Sequence, residues 1–111
     1  METKYTKQIM KFLNQKQFLV NKNSPQIYGV SGQPDIFASR IINNKTINLC
    51  IEVKDFDQPS KLKKQQVYML NQYKNNGWFV FVIDDKDKYL QFQKMINKII
   101  PDLTPQVSLD F

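Results

Sequence analysis

The chain has 111 residues, of which 41% are hydrophobic and 13% aromatic, and this predicts one globular domain with a single hydrophobic core. No stretch approaches the roughly eighteen apolar residues of a membrane span, and the N-terminus lacks the apolar core of a signal peptide. Cys50 is the only cysteine and histidine is absent. An internal disulfide, a histidine-ligated zinc site and histidine-dependent nucleophilic catalysis are therefore excluded, and we expect a reducing, cytoplasmic location.

The net charge is +6, because sixteen basic residues outnumber ten acidic ones. All but one of the basic residues are lysines, which bind phosphate as point charges without reading sequence. A genome rich in lysine and asparagine codons would produce the same excess. The charge is therefore compatible with nucleic-acid binding and is weak evidence for it.

The first half of the chain predicts a helix followed by strands. Apolar residues at helical spacing indicate a helix over 3–17, and a short strand over 18–20 and a loop at 21–26 follow. A strand over 35–42 and an alternating strand over 46–54 are joined by a short polar turn. Together these two strands predict a β-hairpin.

The second half predicts alternating helices and strands. A helix over 60–76 has a serine at its first position as N-cap and Gly77 just beyond its last turn. The apolar run 78–83 is typical of a strand that is buried on both faces, so a right-handed crossover should place it parallel to the preceding strand. A last helix is expected near 86–100, and the alternating tail 107–111 predicts an edge strand. The fold class is therefore α/β, a small mixed sheet flanked by helices.

Two acids and one amine in this pattern indicate metal-dependent chemistry. Glu52 and Lys54 leave the same face of one strand, and Asp35 begins the neighbouring strand within a few ångströms of Glu52. Carboxylate oxygens suit Mg²⁺ or Mn²⁺, and the Val53 carbonyl is a further ligand. Lys54 would hold a nucleophilic water or stabilise transition-state charge. Taken singly, Glu52 and Lys54 also fit a solvated strand face, and Asp35 also fits a turn; their combination favours catalysis.

These residues resemble a known family. The order of Pro34-Asp35 and Glu52-Val53-Lys54 resembles the PD-(D/E)xK nuclease superfamily. The VRR-NUC branch (virus-type replication-repair nucleases) is similar over roughly residues 2–84, through a glycine at 32, a leucine at 62, a glutamine at 66 and a glycine at 77. The resemblance implies a restriction-endonuclease-like core and a single nuclease domain over 1–111.

The resemblance also implies roles for individual residues. It implies a metal site at Asp35, Glu52 and the Val53 carbonyl, a catalytic Lys54 and a supporting Gln66. The spacing from the leucine at 62 and the glycine at 77 favours Gln66 over its neighbour Gln65.

Further residues and partners complete the expected site. Family members have an acid on the first helix, and Glu2 is a possible metal ligand in that register. Lys61, Lys63 and Lys64 lie at the start of the helix that carries Gln66, where they could contact the phosphates of a nucleic acid or simply be solvated. Stand-alone members of the family are associated with homodimers that act on branched DNA, such as four-way junctions in DNA repair. Val107–Phe111 or the last helix could supply the dimer interface.

Two other functions remain open from the sequence. One is a non-catalytic nucleic-acid-binding module that keeps a nuclease-like fold, and intact Asp35, Glu52 and Lys54 speak against it. The other is a protein-interaction subunit whose basic charge reflects composition alone.

Overall fold

A computed structural model describes residues 3–23 and 32–100 of the chain. Its helices and strands, in chain order, are α1 (Lys4–Gln15), β1 (Leu19–Lys22), β2 (Ile36–Ile42), β3 (Lys45–Val53), α2 (Lys64–Asn75), β4 (Phe79–Ile83) and α3 (Lys86–Ile99). Glu2 and the predicted edge strand over 107–111 lie outside the described residues. None of the helices in the described part is long and apolar enough to cross a membrane.

The described strands form one mixed sheet in the order β1-β2-β3-β4. β1, β2 and β3 pair antiparallel, whereas β4 pairs parallel to β3. The predicted α/β class is confirmed: a small mixed sheet flanked by helices, compatible with a restriction-endonuclease-like core. The predicted hairpin is also present. Its two-residue turn consists of Asn43 and Asn44, whose φ values are +53° and +64°. Positive φ at both positions fits a type I′ turn, whose twist matches that of the paired strands.

α2 begins later than the sequence predicted. Ser60 is not the N-cap, because the helix starts at Lys64 and Lys63 has the extended backbone of a cap residue. The side chain of Gln66 accepts a hydrogen bond from the Lys63 backbone amide at 2.9 Å and so satisfies a donor that the helix leaves free. This local bond favours Lys63 over Ser60 as the N-cap.

The end of α2 is as predicted. Gly77 has φ +89°, and its backbone amide donates to the Lys74 carbonyl. The Trp78 amide donates to the Tyr73 carbonyl at 3.0 Å. These two bonds are those of a Schellman motif, which requires a left-handed residue where glycine stands.

The main core lies on one face of the sheet. Sheet residues Leu49 and Ile51 pack there against Leu13 of α1 and against Phe92 and Ile96 of α3. Because side chains alternate along a strand, Cys50 and Glu52 point to the opposite face.

α2 covers that opposite face through a smaller contact. Leu70 is its only buried residue among those described, and Tyr73 packs against Phe37 and Trp78 with ring centroids 5.2–5.4 Å apart. The expectation that β4 is buried on both faces is wrong, since Phe79 is 50% exposed. Within the described sheet β4 has a neighbour on one side only, and α2 covers it incompletely.

Candidate active site

Asp35 sits immediately before β2 and continues its pairing with β3. Its backbone amide donates to the Ile51 carbonyl at 3.0 Å. Its carboxylate Oδ2 accepts a hydrogen bond from the Val53 amide at 2.8 Å. The register pairs Ile36 with Ile51, so Asp35 lies beside Glu52, as predicted for the hairpin.

Glu52 is a buried carboxylate, only 4% exposed, at the end of β3. Its Oε2 accepts a hydrogen bond from Gln66 Nε2 at 2.9 Å and lies 3.1 Å from Lys54 Nζ. Lys54 Nζ in turn donates to Gln66 Oε1 at 3.2 Å. Glu52, Lys54 and Gln66 therefore form a closed hydrogen-bonded triangle, in which the glutamine amide contacts both charged groups.

The environment of Glu52 opposes its ionisation. Burial raises the pKa of this carboxyl to about 7, and the nearby charge of Asp35 and a hydrogen bond with it act in the same direction. The ion pair and hydrogen bond with Lys54 lower the pKa but do not cancel the rise. A bound cation would relieve the repulsion between two adjacent carboxylates, as protonation of one of them does.

The donor set of this site fits a magnesium or manganese ion. Asp35 and Glu52 contribute two carboxylates and Lys54 one positive charge, so a negative charge remains to be neutralised. Within residues 3–23 and 32–100, no three acidic, cysteine or histidine side chains cluster as metal ligands. A cation bound here would thus have two carboxylates, water and a backbone carbonyl as ligands. Mg²⁺ commonly keeps several waters in this way. The Val53 carbonyl stays a predicted ligand, and Val53 itself contacts Asp35 through its amide.

The loop before Asp35 packs closely against α2. Gly32 has φ +84°, and a Cβ at this position would lie 2.7 Å from backbone atoms of Gln65. Glycine is therefore required both by the backbone angle and by the approach of the helix. Gln65 is exposed, whereas the side chain of Gln66 reaches the site. Next in the loop, the Gln33 side-chain oxygen accepts a 2.7 Å hydrogen bond from the Tyr73 hydroxyl.

Neither Gln33 nor Tyr73 was predicted from the sequence to belong to the site. Tyr73 lies seven residues after Gln66, which is two helical turns, so both project from one face of α2. That spacing was visible in the sequence and could have linked Tyr73 to the site. Nothing in the sequence indicated that Gln33 would be its partner.

The remaining predicted residues lie around the site. Lys61, Lys63 and Lys64 are exposed near the start of α2, and no contact joins their side chains to Glu52 or Lys54. Glu2 lies outside the described residues. The first turn of α1, which follows it, contacts the loop after Lys54: Tyr5 stacks on Phe56 with ring centroids 3.9 Å apart.

Comparison with known proteins found no matching family model and no significant match to a curated protein. The residues of the site are therefore the basis on which a function is proposed.

Proposed function

We propose that this protein is a metal-dependent nuclease of the VRR-NUC type that hydrolyses DNA phosphodiesters. One observation supports this proposal above the others: a buried glutamate lies beside a second carboxylate and is hydrogen-bonded to a lysine and a glutamine. Burying ionisable groups together costs free energy that an apolar cluster would not. Strongly shifted carboxyls near a charged partner are typical of functional sites.

Each residue has a distinct role in the proposed reaction. Asp35 and Glu52, with the Val53 carbonyl, would hold Mg²⁺ or Mn²⁺. When bound, this metal polarises a phosphoryl oxygen and lowers the pKa of a coordinated water. Lys54 uses two of its three N–H groups on Glu52 and Gln66. The third can donate to a phosphate oxygen or to the attacking water, while Gln66 keeps the amine in place.

The proposed substrate and assembly are those that the resemblance implies, and the net charge of +6 is compatible with them. The exposed lysines Lys61, Lys63 and Lys64 precede or begin the helix that carries Gln66, where they would contact the DNA backbone. Phosphate contacts of this kind hold DNA without reading its sequence. We propose selection by shape, on branched DNA such as four-way junctions. A two-fold homodimer matches a junction with two equivalent strands to cut.

The test is a cleavage panel with purified protein. Four-way junction, flap, single-stranded and linear duplex DNA are incubated with Mg²⁺, Mn²⁺ or a chelator. We expect metal-dependent cleavage, fastest on branched DNA, that Glu52→Gln abolishes while DNA affinity stays within about threefold. Asp87→Asn removes an exposed carboxylate on α3 and serves as the matched control, which should cleave normally.

The rival functions give different results in the same panel. DNA binding without cleavage in either metal, unchanged by Glu52→Gln, would indicate a non-catalytic binding module. Negligible DNA affinity at low salt, with no steep salt dependence, would indicate a protein-interaction subunit.

A further inference from the structure

Two separate parts of the chain, the loop at 32–34 and α2, hold the proposed site from different sides. Asp35 follows the loop at 32–34, whereas Gln66 is on α2 and contacts Glu52 and Lys54 from there. α2 contacts the sheet through its one buried residue, Leu70, and through Tyr73, which packs on Phe37. Polar contacts between this helix and the loop add to that packing and fix the loop relative to α2.

Residues 32–34, the described part of the loop, contact α2 through Gly32 and through Gln33. At the start of α2, Gly32 approaches the Gln65 backbone closely enough to leave no room for a Cβ. Two turns further along, Tyr73 donates its hydroxyl hydrogen to the Gln33 side chain at 2.7 Å. Gln33 is separated from Asp35 only by Pro34, which is buried and whose ring fixes its φ angle. Gln33 therefore lies two residues from the aspartate along a short stretch of chain that Pro34 restricts.

The ring of Tyr73 is held independently of its hydroxyl. It packs against Phe37 and Trp78, with centroids 5.4 Å and 5.2 Å away. Phe37, Tyr73 and Trp78 form an aromatic cluster. This cluster holds the Tyr73 hydroxyl beside the Gln33 side chain.

We propose that Tyr73 is a positioning residue of the active site. Its hydrogen bond to Gln33 holds the Asp35 carboxylate in register with Glu52 and Gln66. This inference rests on the proposed function for its metal-binding consequence, but its geometric part is independent of it. Tyr73 touches neither carboxylate and acts through Gln33.

The Val53 amide supplies a readout that needs no metal and no activity, since it donates to Asp35 Oδ2 at 2.8 Å. In Tyr73→Phe, which keeps the ring and removes the hydroxyl, we expect hydrogen exchange at this amide to accelerate by about 3- to 10-fold. The amides of Leu49 and Ile51 should change less. A purely structural role would instead raise exchange at all three equally. Tyr68→Phe, on the same helix at a side chain that is 56% exposed, is the matched control.

Metal affinity gives the second readout. Titration with Mn²⁺ alone should show Kd raised about 3- to 10-fold in Tyr73→Phe and in Gln33→Met, and no further in the double variant, because both remove one bond. Unchanged Kd and unchanged Val53 exchange in Tyr73→Phe would overturn the proposal. If wild-type protein binds no Mn²⁺, the proposed function fails, and the local change in Val53 exchange still decides whether Tyr73 positions Asp35.

Discussion

Replacing Glu52 with glutamine should change how stability depends on pH. The pKa of Glu52 rises from an ordinary value of 4.5 to about 7 in the folded protein, chiefly because the group is buried and secondarily because Asp35 is near. The folded state therefore binds this proton more tightly than the unfolded state does. Stability from this group is complete below pH 4.5 and is lost as the pH rises to about 7.

The free-energy equivalent of that pKa difference is roughly 3 kcal/mol. In wild-type protein with a chelator, the Glu52 contribution to the free energy of unfolding should fall by up to this amount between pH 4.5 and 8. Glu52→Gln cannot lose a proton, so its curve should lack this fall.

Urea denaturation from pH 4.5 to 8 measures the difference directly. Asp87→Asn, an exposed carboxylate on α3, should keep the wild-type slope. Mg²⁺ at pH 8 should raise the stability of wild-type protein and leave that of Glu52→Gln unchanged, since the metal binds the ionised carboxylate. If the free energy of unfolding changed with pH in the same way for wild type and Glu52→Gln, the reasoning would be refuted.

Three further changes test other contacts of the site. Lys54→Met should abolish cleavage in a single-turnover assay while DNA affinity in gel shifts stays within about threefold; residual cleavage above a tenth of wild type would contradict its role. Gln66→Glu replaces the donor to Glu52 by an oxygen, so urea denaturation at pH 8 without metal should show about 1.5–3 kcal/mol less stability, and an equally stable variant would argue against the triangle. Gly32→Ala should cost about 2–4 kcal/mol through both strain and a clash with the helix. Gly77→Ala has similar strain but open space, so it should cost only about 1 kcal/mol, and equal losses would show that no close approach exists.

Features that depend on neighbouring residues were predictable from the sequence. The short polar turn between two predicted strands indicated the hairpin, and Asn43 and Asn44 in that turn adopt positive φ. Gly77 marked the end of α2 for the same reason. The pairing of Asp35 with the strand of Glu52 followed once the hairpin was predicted, since its register brings the two together.

Features that depend on contacts between residues far apart in the chain were not predictable from the sequence. The start of α2 was assigned to Ser60 because serine is a good cap, but the Gln66 side chain satisfies the amide of Lys63 instead. The exposure of Phe79 was missed because an apolar run does not show whether a strand lies inside a sheet or at its edge. The bond from Tyr73 to Gln33 joins residues forty positions apart, and local patterns carry no information on it.

The central claim is that Asp35 and Glu52 together bind a catalytic divalent cation, and Mn²⁺ located by anomalous diffraction from soaked crystals tests it most directly. We expect one strong anomalous peak roughly 2 Å from a carboxylate oxygen of each residue, and no peak in crystals of Glu52→Gln. Absence of the peak in wild-type crystals that cleave DNA with Mn²⁺ would contradict the account.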